Sequence, residues 1–468
     1  MSIKSLESEF VQKKVWIHDP LLYLKITFIG LDHAMTKPSR GKKEISTRLA
    51  SRLKQMPRLL KQAESNISIV PANCQRASLD MIRDGKRYLE ESLKSFIEAI
   101  REHGGHSHNW INLYQNGVEA LKGFEKVISS LSTVPDDKLG EICSFKKNIP
   151  FLPTLSLKEI YDFELEERSE ILKKLEKIKN KIKPGKTWLE LYYSYCTDEL
   201  NRSDIYSLYR REMKNLRNFF ENRGLNINDL STPMTVMETP RYFLSYRGSA
   251  SFHAALKANN DEKSFFYITT RCPGQYNKDQ EKNLFRRFHR EYKFLTAHES
   301  IPGHHYLDSV RRRLRNPIRR QIESPLFYEG WATYAESLLL SSDYLKRPEE
   351  KIVYYKRRLW RSTRCQIDAG LHSGNLNRDS AERLLMETGV LNKEAEKEIS
   401  RYLLNPGYQI CYSLGYQKIK KLKKKYYSRM GERKFHSVLL EGGEIPFHFI
   451  EKKMEQTKES SHDQLSDM

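Results

Sequence analysis

His298 and Glu299 stand side by side in the run Thr296-Ala-His298-Glu299-Ser-Ile-Pro302-Gly303-His304-His305-Tyr. Two histidines four apart on one helical face, with a glutamate after the first, are the spacing that holds zinc and activates water. Pro302 occupies the place of that second histidine, so the plain spacing fails. A proline four residues after His298 meets the His298 carbonyl and brings no N–H. The turn must bulge at Pro302-Gly303 and then restart. On a straight helix His304 would lie ~120° from His298, and His305 would be in line but roughly 10 Å further on. Absorbing two residues in the break returns His304 to the inner face. His304 is therefore the expected second ligand, with His305 as the alternative or as a group supporting the ligands.

A catalytic zinc usually takes three protein ligands and keeps one position open. About 25 residues on lies Pro325-Leu-Phe-Tyr-Glu329-Gly-Trp-Ala-Thr-Tyr-Ala-Glu336. A carboxylate in so apolar a helix is costly unless something pairs it. Glu329 and Glu336 are seven apart and share a face, so one can bind metal while the other orients a histidine. Glu329 is the expected ligand.

The elements that must carry these residues read as helices. Ile45–Ile67, Leu79–Ile100, Trp110–Leu131 and Asp204–Arg223 repeat apolar residues every three or four positions. The longest stripe, Ser156–Ile182, uses Ile160, Phe163, Leu165, Ile171, Leu175 and Ile178, and stops at Pro184-Gly185. Between Leu230 and Cys272 the texture changes, with strand-length runs at Thr235–Met237, Tyr242–Leu244 and Phe265–Thr269. Thr457–Met468 is polar and expected to fray. The expectation is a mostly α fold with a small β element. It divides into a helical N-terminal part, residues 1–154, and a helical part with the zinc motif, residues 155–468, with one continuous domain as the alternative.

His298-Glu299-x-x-Pro302-Gly303-His304-His305, then Glu329-Gly330-Trp331-Ala332 and Glu336, resemble the bacterial family catalogued as domain of unknown function 885. Arg364-x-x-x-Asp368-x-Gly370-x-His372, Pro406-Gly407-Tyr408-Gln409-x-x-Tyr412-x-x-Gly415 and Gly443-Glu-Ile-Pro446 follow in the same order. The family is regarded as related to the helical gluzincin metallopeptidases. The resemblance covers roughly residues 290–455, and its order of motifs is more specific than any single one. It implies a deep cleft between helices, with zinc held by His298, His304 and Glu329. Glu299 would activate a zinc-bound water, and Tyr412 would serve the oxyanion, with Tyr408 as substitute and substrate contact. His372 would help at the oxyanion and Arg364 would hold a substrate carboxylate. The substrate implied is a short, unstructured peptide.

Plainer readings stand beside these. Arg364 and Asp368, four apart, can form a helical ion pair, and Tyr412 can pack in a core with a wet hydroxyl. His103-Gly-Gly-His106-Ser-His108 reads as a loop, having no acidic partner. The six cysteines lie far apart and read as separate thiols. Composition sets the remaining bounds. Of 468 residues, 26 are Tyr and 20 Phe, which excludes a disordered chain. A net charge of +21 raises the alternative of a non-catalytic basic protein that binds nucleic acid or another polyanion. The runs Lys418–Lys425 and Arg311–Arg315 suit that role in charge. Both are interspersed with apolar residues and sit in no nucleic-acid module, so solvated helix faces are preferred. Met1–Phe10 is charged where a signal peptide is apolar, and no stretch approaches the roughly 18 apolar residues of a membrane span. The expected location is the cytoplasm, without membrane contact; oligomeric state is not legible.

Overall fold

The computed structural model describes residues 11, 14–37, 39, 41–102, 108–135, 155–198, 200, 204–221, 223, 225, 227, 230, 233–244, 250–255, 262–270 and 277–463, with no side chain for 404 or 458–463. Cys143, Cys272 and most of the His103–His108 tract lie outside them. The chain divides into two compact units. One comprises Ile3–Lys147 with Glu238–Ser249; the other comprises Met1–Ser2, Asn148–Met237 and Ala250–Met468.

The first unit holds α1 (Val15–His18), α2 (Pro20–Thr36), α3 (Lys42–Asn66), α4 (Ala72–Tyr88), α5 (Lys94–Glu102) and α6 (Trp110–Ser130). A π turn, Leu89–Leu93, joins α4 to α5, so the stripe expected over Leu79–Ile100 is bent. Two residue pairs, β1 (Val70–Pro71) and β2 (Thr133–Val134), run parallel. Leu49, Leu53, Met56 and Leu60 of α3 face Leu121, Phe124 and Ile128 of α6 in the core. Gly85 is bare because a Cβ there would stand 2.0 Å from the Phe28 ring. The run Tyr242–Leu244, read as strand, is instead a 3-10 turn over Arg241–Phe243. Its Tyr242 ring stacks on Phe28 at 5.7 Å, and that packing outweighs the β propensity of three adjoining apolar residues.

The second unit carries the motifs. Its helices are α7 (Leu157–Ile182), α8 (Trp188–Ser194), α9 (Ile205–Phe220), α10 (Lys278–Glu299), α11 (His304–Arg312), α12 (Pro317–Gln321), α13 (Pro325–Ser341), α14 (Pro348–Ser373), α15 (Arg378–Met386), α16 (Asn392–Leu404), α17 (Ile410–Leu440) and α18 (Phe447–Asp463). The protein is mostly α. Ser156 starts α7 with a capping box to Glu159, and Asn277 starts α10 with one to Gln280. α7 lies along α14, and α13 along α17. Where α13 and α17 meet, a Cβ on Gly330 would stand 2.6 Å from the Gly415 backbone, and one on Gly415 would stand 2.1 Å from the Leu326 carbonyl. Only two glycines let these backbones touch.

Strands β3 (Met234–Glu238), β4 (Ala250–His253) and β5 (Ser264–Ile268) form a sheet in the order β3-β5-β4, with β4 antiparallel to β5. Two of the three were legible; β4 was not, because Ala-Ser-Phe-His alternates over only four residues and has no β-branched side chain. In the tail α18 continues to Asp463, and the rest of the segment expected to fray, residues 464–468, lies outside the described residues. Among the described residues no helix is long and apolar enough to cross a membrane.

Candidate metal centre

The helix carrying His298 ends one residue later, at Glu299, and α11 begins at His304. Between them the chain turns sharply through Ser300–Gly303, with a cis Ile301–Pro302 bond. A Cβ on Gly303 would stand 1.9 Å from the His298 carbonyl, so the return passes directly under the helix end. The break brings His304 beside His298, ring centroids 4.7 Å apart. Trp331 of α13 fixes the turn by donating its indole N–H to the Pro302 carbonyl at 2.8 Å.

His298, His304 and Glu329 converge, each offering one ligand atom, all within 4.8 Å of one another. Glu329 Oε2 lies 3.4 Å from His298 Nε2 and 3.5 Å from His304 Nε2. That oxygen is buried and makes no hydrogen bond. Donor atoms bonded tetrahedrally to zinc at 2.0–2.2 Å lie about 3.4 Å apart, so the spacing fits an ion between them better than contacts among the donors. The residues present therefore fit zinc, with an orphaned carboxylate oxygen aimed at the gap. Burial would raise the Glu329 carboxyl, but the two imidazoles outweigh it and hold it well below the usual carboxylate range.

Each ligand is gripped from behind. His298 Nδ1 is 3.0 Å from Glu336 Oε1 and 3.3 Å from Arg361. Glu336, an acceptor and the nearer of the two, takes an N–H from Nδ1, and the neutral ring, with one N–H, then keeps Nε2 free as a metal donor. Burial would lower the His298 pKa, but the Glu329 and Glu336 carboxylates raise it overall. Glu336 in turn accepts from Arg357 at 2.8 and 2.9 Å and from Arg361 at 2.5 and 2.8 Å. These guanidinium charges overcome burial and keep its carboxyl well below the ordinary range. Arg357 continues to Glu291 at 2.5 Å, which also takes the Tyr192 hydroxyl at 2.5 Å. Glu329 Oε1 accepts the Tyr408 hydroxyl at 2.6 Å. The Tyr328 ring lies flat on His304, centroids 3.7 Å apart.

Glu299 follows His298 and is held from the sheet. Its Oε2 accepts the Phe252 backbone N–H of β4 at 2.7 Å. The Phe252 ring packs over His304 and His305, at 6.4 and 5.8 Å. His305 is thus beside the ligands and outside the converging trio.

The other sequence-predicted residues are distributed differently. Tyr412 stands by the centre, its ring parallel to His298 at 6.3 Å, and burial raises its phenol pKa. Tyr408 serves Glu329. Arg364 lies over the rings of Trp360 and Tyr412, at 4.2 and 4.6 Å, and its NH2 donates to Gln409. No ion pair joins it to Asp368. Asp368 instead accepts the N–H groups of Gly407 and Gln409, at 2.9 and 2.8 Å, bracing the turn that presents Tyr408. His372 is three turns beyond Arg361, about 16 Å along α14, and holds to Asp368. The structure does not bring it to the trio.

Sequence reading missed Phe252, Tyr328, Arg357, Arg361 and Glu291. A signal for the arginines was present: Arg357, Arg361 and Arg364 repeat at four and three residues within a helix otherwise rich in apolar residues. Paired charges at that spacing resemble a solvated face, which hid them.

Comparison with known proteins agrees with the fold. The model of the family described as "Bacterial protein of unknown function (DUF885)" matches residues 4–454. No curated protein sequence matches the chain. Several solved structures resemble it. One is a "putative lipoprotein" from Colwellia psychrerythraea, with TM-score 0.69 and 18% identity over 91% of this chain and 77% of that one. Another is a "putative lipoprotein of unknown function" from Shewanella oneidensis, with TM-score 0.67 and 18% identity over 97% and 85%. At that identity the likeness is one of fold.

Proposed function

The chain belongs to this bacterial family of unknown function, and from that premise we propose that it is a zinc-dependent hydrolase of peptide bonds in short, unstructured peptides. One observation carries the reading: the buried Glu329 Oε2, without a hydrogen bond, set between two imidazole nitrogens at 3.4 and 3.5 Å. His298, His304 and Glu329 would hold the ion, which supplies Lewis acidity and a water acidic enough to lose a proton near neutrality.

The chain's own groups do the rest. Glu299 is the base: the Phe252 N–H fixes Oε2, and Oε1 takes the proton from water and returns it to the departing amine. Tyr412 keeps its proton, since burial raises its pKa, and so acts as a donor to the oxyanion as charge develops. Glu336 holds the His298 ring in one tautomer, and Arg361 steadies Glu336. His298, Glu299, His304 and Glu329 are only 3–6% exposed. A folded protein cannot bring its backbone to groups so buried, whereas a thin extended peptide can.

Glu299→Gln keeps the hydrogen bond from Phe252 but has no basic oxygen. Hydrolysis of a mixed pool of unstructured peptides, read by mass spectrometry, is expected from the wild type and lost by roughly a thousandfold or more in Glu299→Gln. Equal inertness of both zinc-loaded proteins would sink the peptidase reading.

A further inference from the structure

The basic run on α17 borders a cavity of about 850 Å³ that also meets the start of α7. Its wall is apolar, formed chiefly by Ile160, Phe163 and Leu414, while its rim is cationic, with five lysines of the run against one acid, Glu159. Leu414, Lys418 and Lys421 recur at spacings of four and three, so apolar wall and charge lie on one face of α17.

Three observations single this cavity out. Glu159 does not neutralise the lysines, because its carboxylate is held by the Ser156 N–H and hydroxyl, both at 2.7 Å. Lys425, outside the cavity, pairs with Glu451 and Glu455. Among the described residues Lys418, Lys420, Lys421 and Lys424 form no ion pair. Phe163 belongs to the stripe expected to be buried, yet it remains 40% exposed. Burial and the nearby Lys421 charge together lower the Lys418 pKa, and the Glu451 carboxylate opposes them only in part.

We propose that this cavity binds a single-chain anionic amphiphile, a long-chain fatty carboxylate, with the acyl chain on Ile160, Phe163 and Leu414 and the carboxylate among Lys418, Lys421 and their neighbours. Charge complementarity selects the head, since a carboxylate accepts from several ammonium groups at once. The wall selects the tail. A cavity of this size lies within the range of small-molecule sites. A nucleic acid would find lysines but a single aromatic ring, Phe163, where strand-binding grooves stack successive bases on several. The cavity shares no residue with the metal centre, so neither reading depends on the other.

Palmitate below its micelle concentration, titrated into the full chain by displacement of a fluorescent fatty-acid probe, tests this. Saturable binding is expected, weakened roughly tenfold or more in the double variant Lys418→Gln/Lys421→Gln and in Phe163→Asp. Methyl palmitate, which has the tail without the charge, should bind worse by a similar factor. Zinc content and circular dichroism should stay unchanged in the lysine variant, since Lys421 is exposed and Lys418 is only half-buried. The proposal is overturned if palmitate binds the lysine variant as tightly as wild type, or if methyl palmitate competes equally well. It is also overturned if only phosphatidylglycerol vesicles bind and free palmitate does not.

Discussion

At Glu329 the two carboxylate oxygens have different tasks. Oε2 faces the imidazoles, while Oε1 takes the Tyr408 hydroxyl at 2.6 Å. Tyr408→Phe removes that donor and frees the carboxylate to rotate. It is expected to weaken zinc affinity by about ten- to a hundredfold, measured by chelator competition. Unchanged affinity would show that the hydroxyl is not what orients the ligand. Pro302 made much of this centre legible, because a proline there forbids the plain helical histidine pair and forces a break that favours His304 over His305. Glu336 was legible as the acid that steadies a histidine. Phe252 was not, since a backbone N–H carries no signature in the sequence, and Tyr408 was read towards substrate because a side chain's direction depends on the turn that Asp368 braces. The surroundings of Arg364 were not legible for a related reason: besides Trp360, one turn away, the Tyr402 and Tyr412 rings enclose it, and both are distant in sequence.

Among the elements, α7, α14 and α17 meet at Glu164, a residue with 0% exposure. Its Oε2 accepts from Ser362 at 2.7 Å and Ser413 at 2.9 Å. Burial dominates these hydroxyls and pushes the carboxyl up to about 7 from 4.5. The folded state thus holds this proton more tightly than the unfolded chain does. The stability it contributes is complete below pH 4.5 and is lost as pH rises through 7. Glu164→Gln abolishes that dependence. In urea unfolding the variant should gain on wild type between pH 5 and pH 8 by up to about 3 kcal/mol, at 1.4 kcal/mol per pH unit. A constant difference at both pH values would contradict the assignment. The helices themselves were legible from periodicity, since α3, α6, α7 and α9 lie close to their expected spans. Failures came where tertiary packing overrode local pattern, as at the 3-10 turn of Tyr242 and the exposed Phe163.

Across the whole molecule the net charge is +21, and several of the arginines stand in ion pairs. Arg311 pairs with Asp308 and Glu323, and Arg312 with Asp308. Arg357 and Arg361 are buried against Glu336 and Glu291, in pairs that leave the net charge unchanged. Such buried pairs serve geometry more than stability, and this network ends on the His298 ring. The residues of the centre come from α10, α11, α13 and α17, which only the folded second unit assembles. Diffraction of crystals grown without chelator, recorded on both sides of the zinc absorption edge, tests that assembly most directly. One anomalous peak bonded to His298 Nε2, His304 Nε2 and Glu329 Oε2 is the result expected. A zinc-soaked crystal with no peak there, or with a peak held by His305 in place of His304, would contradict it.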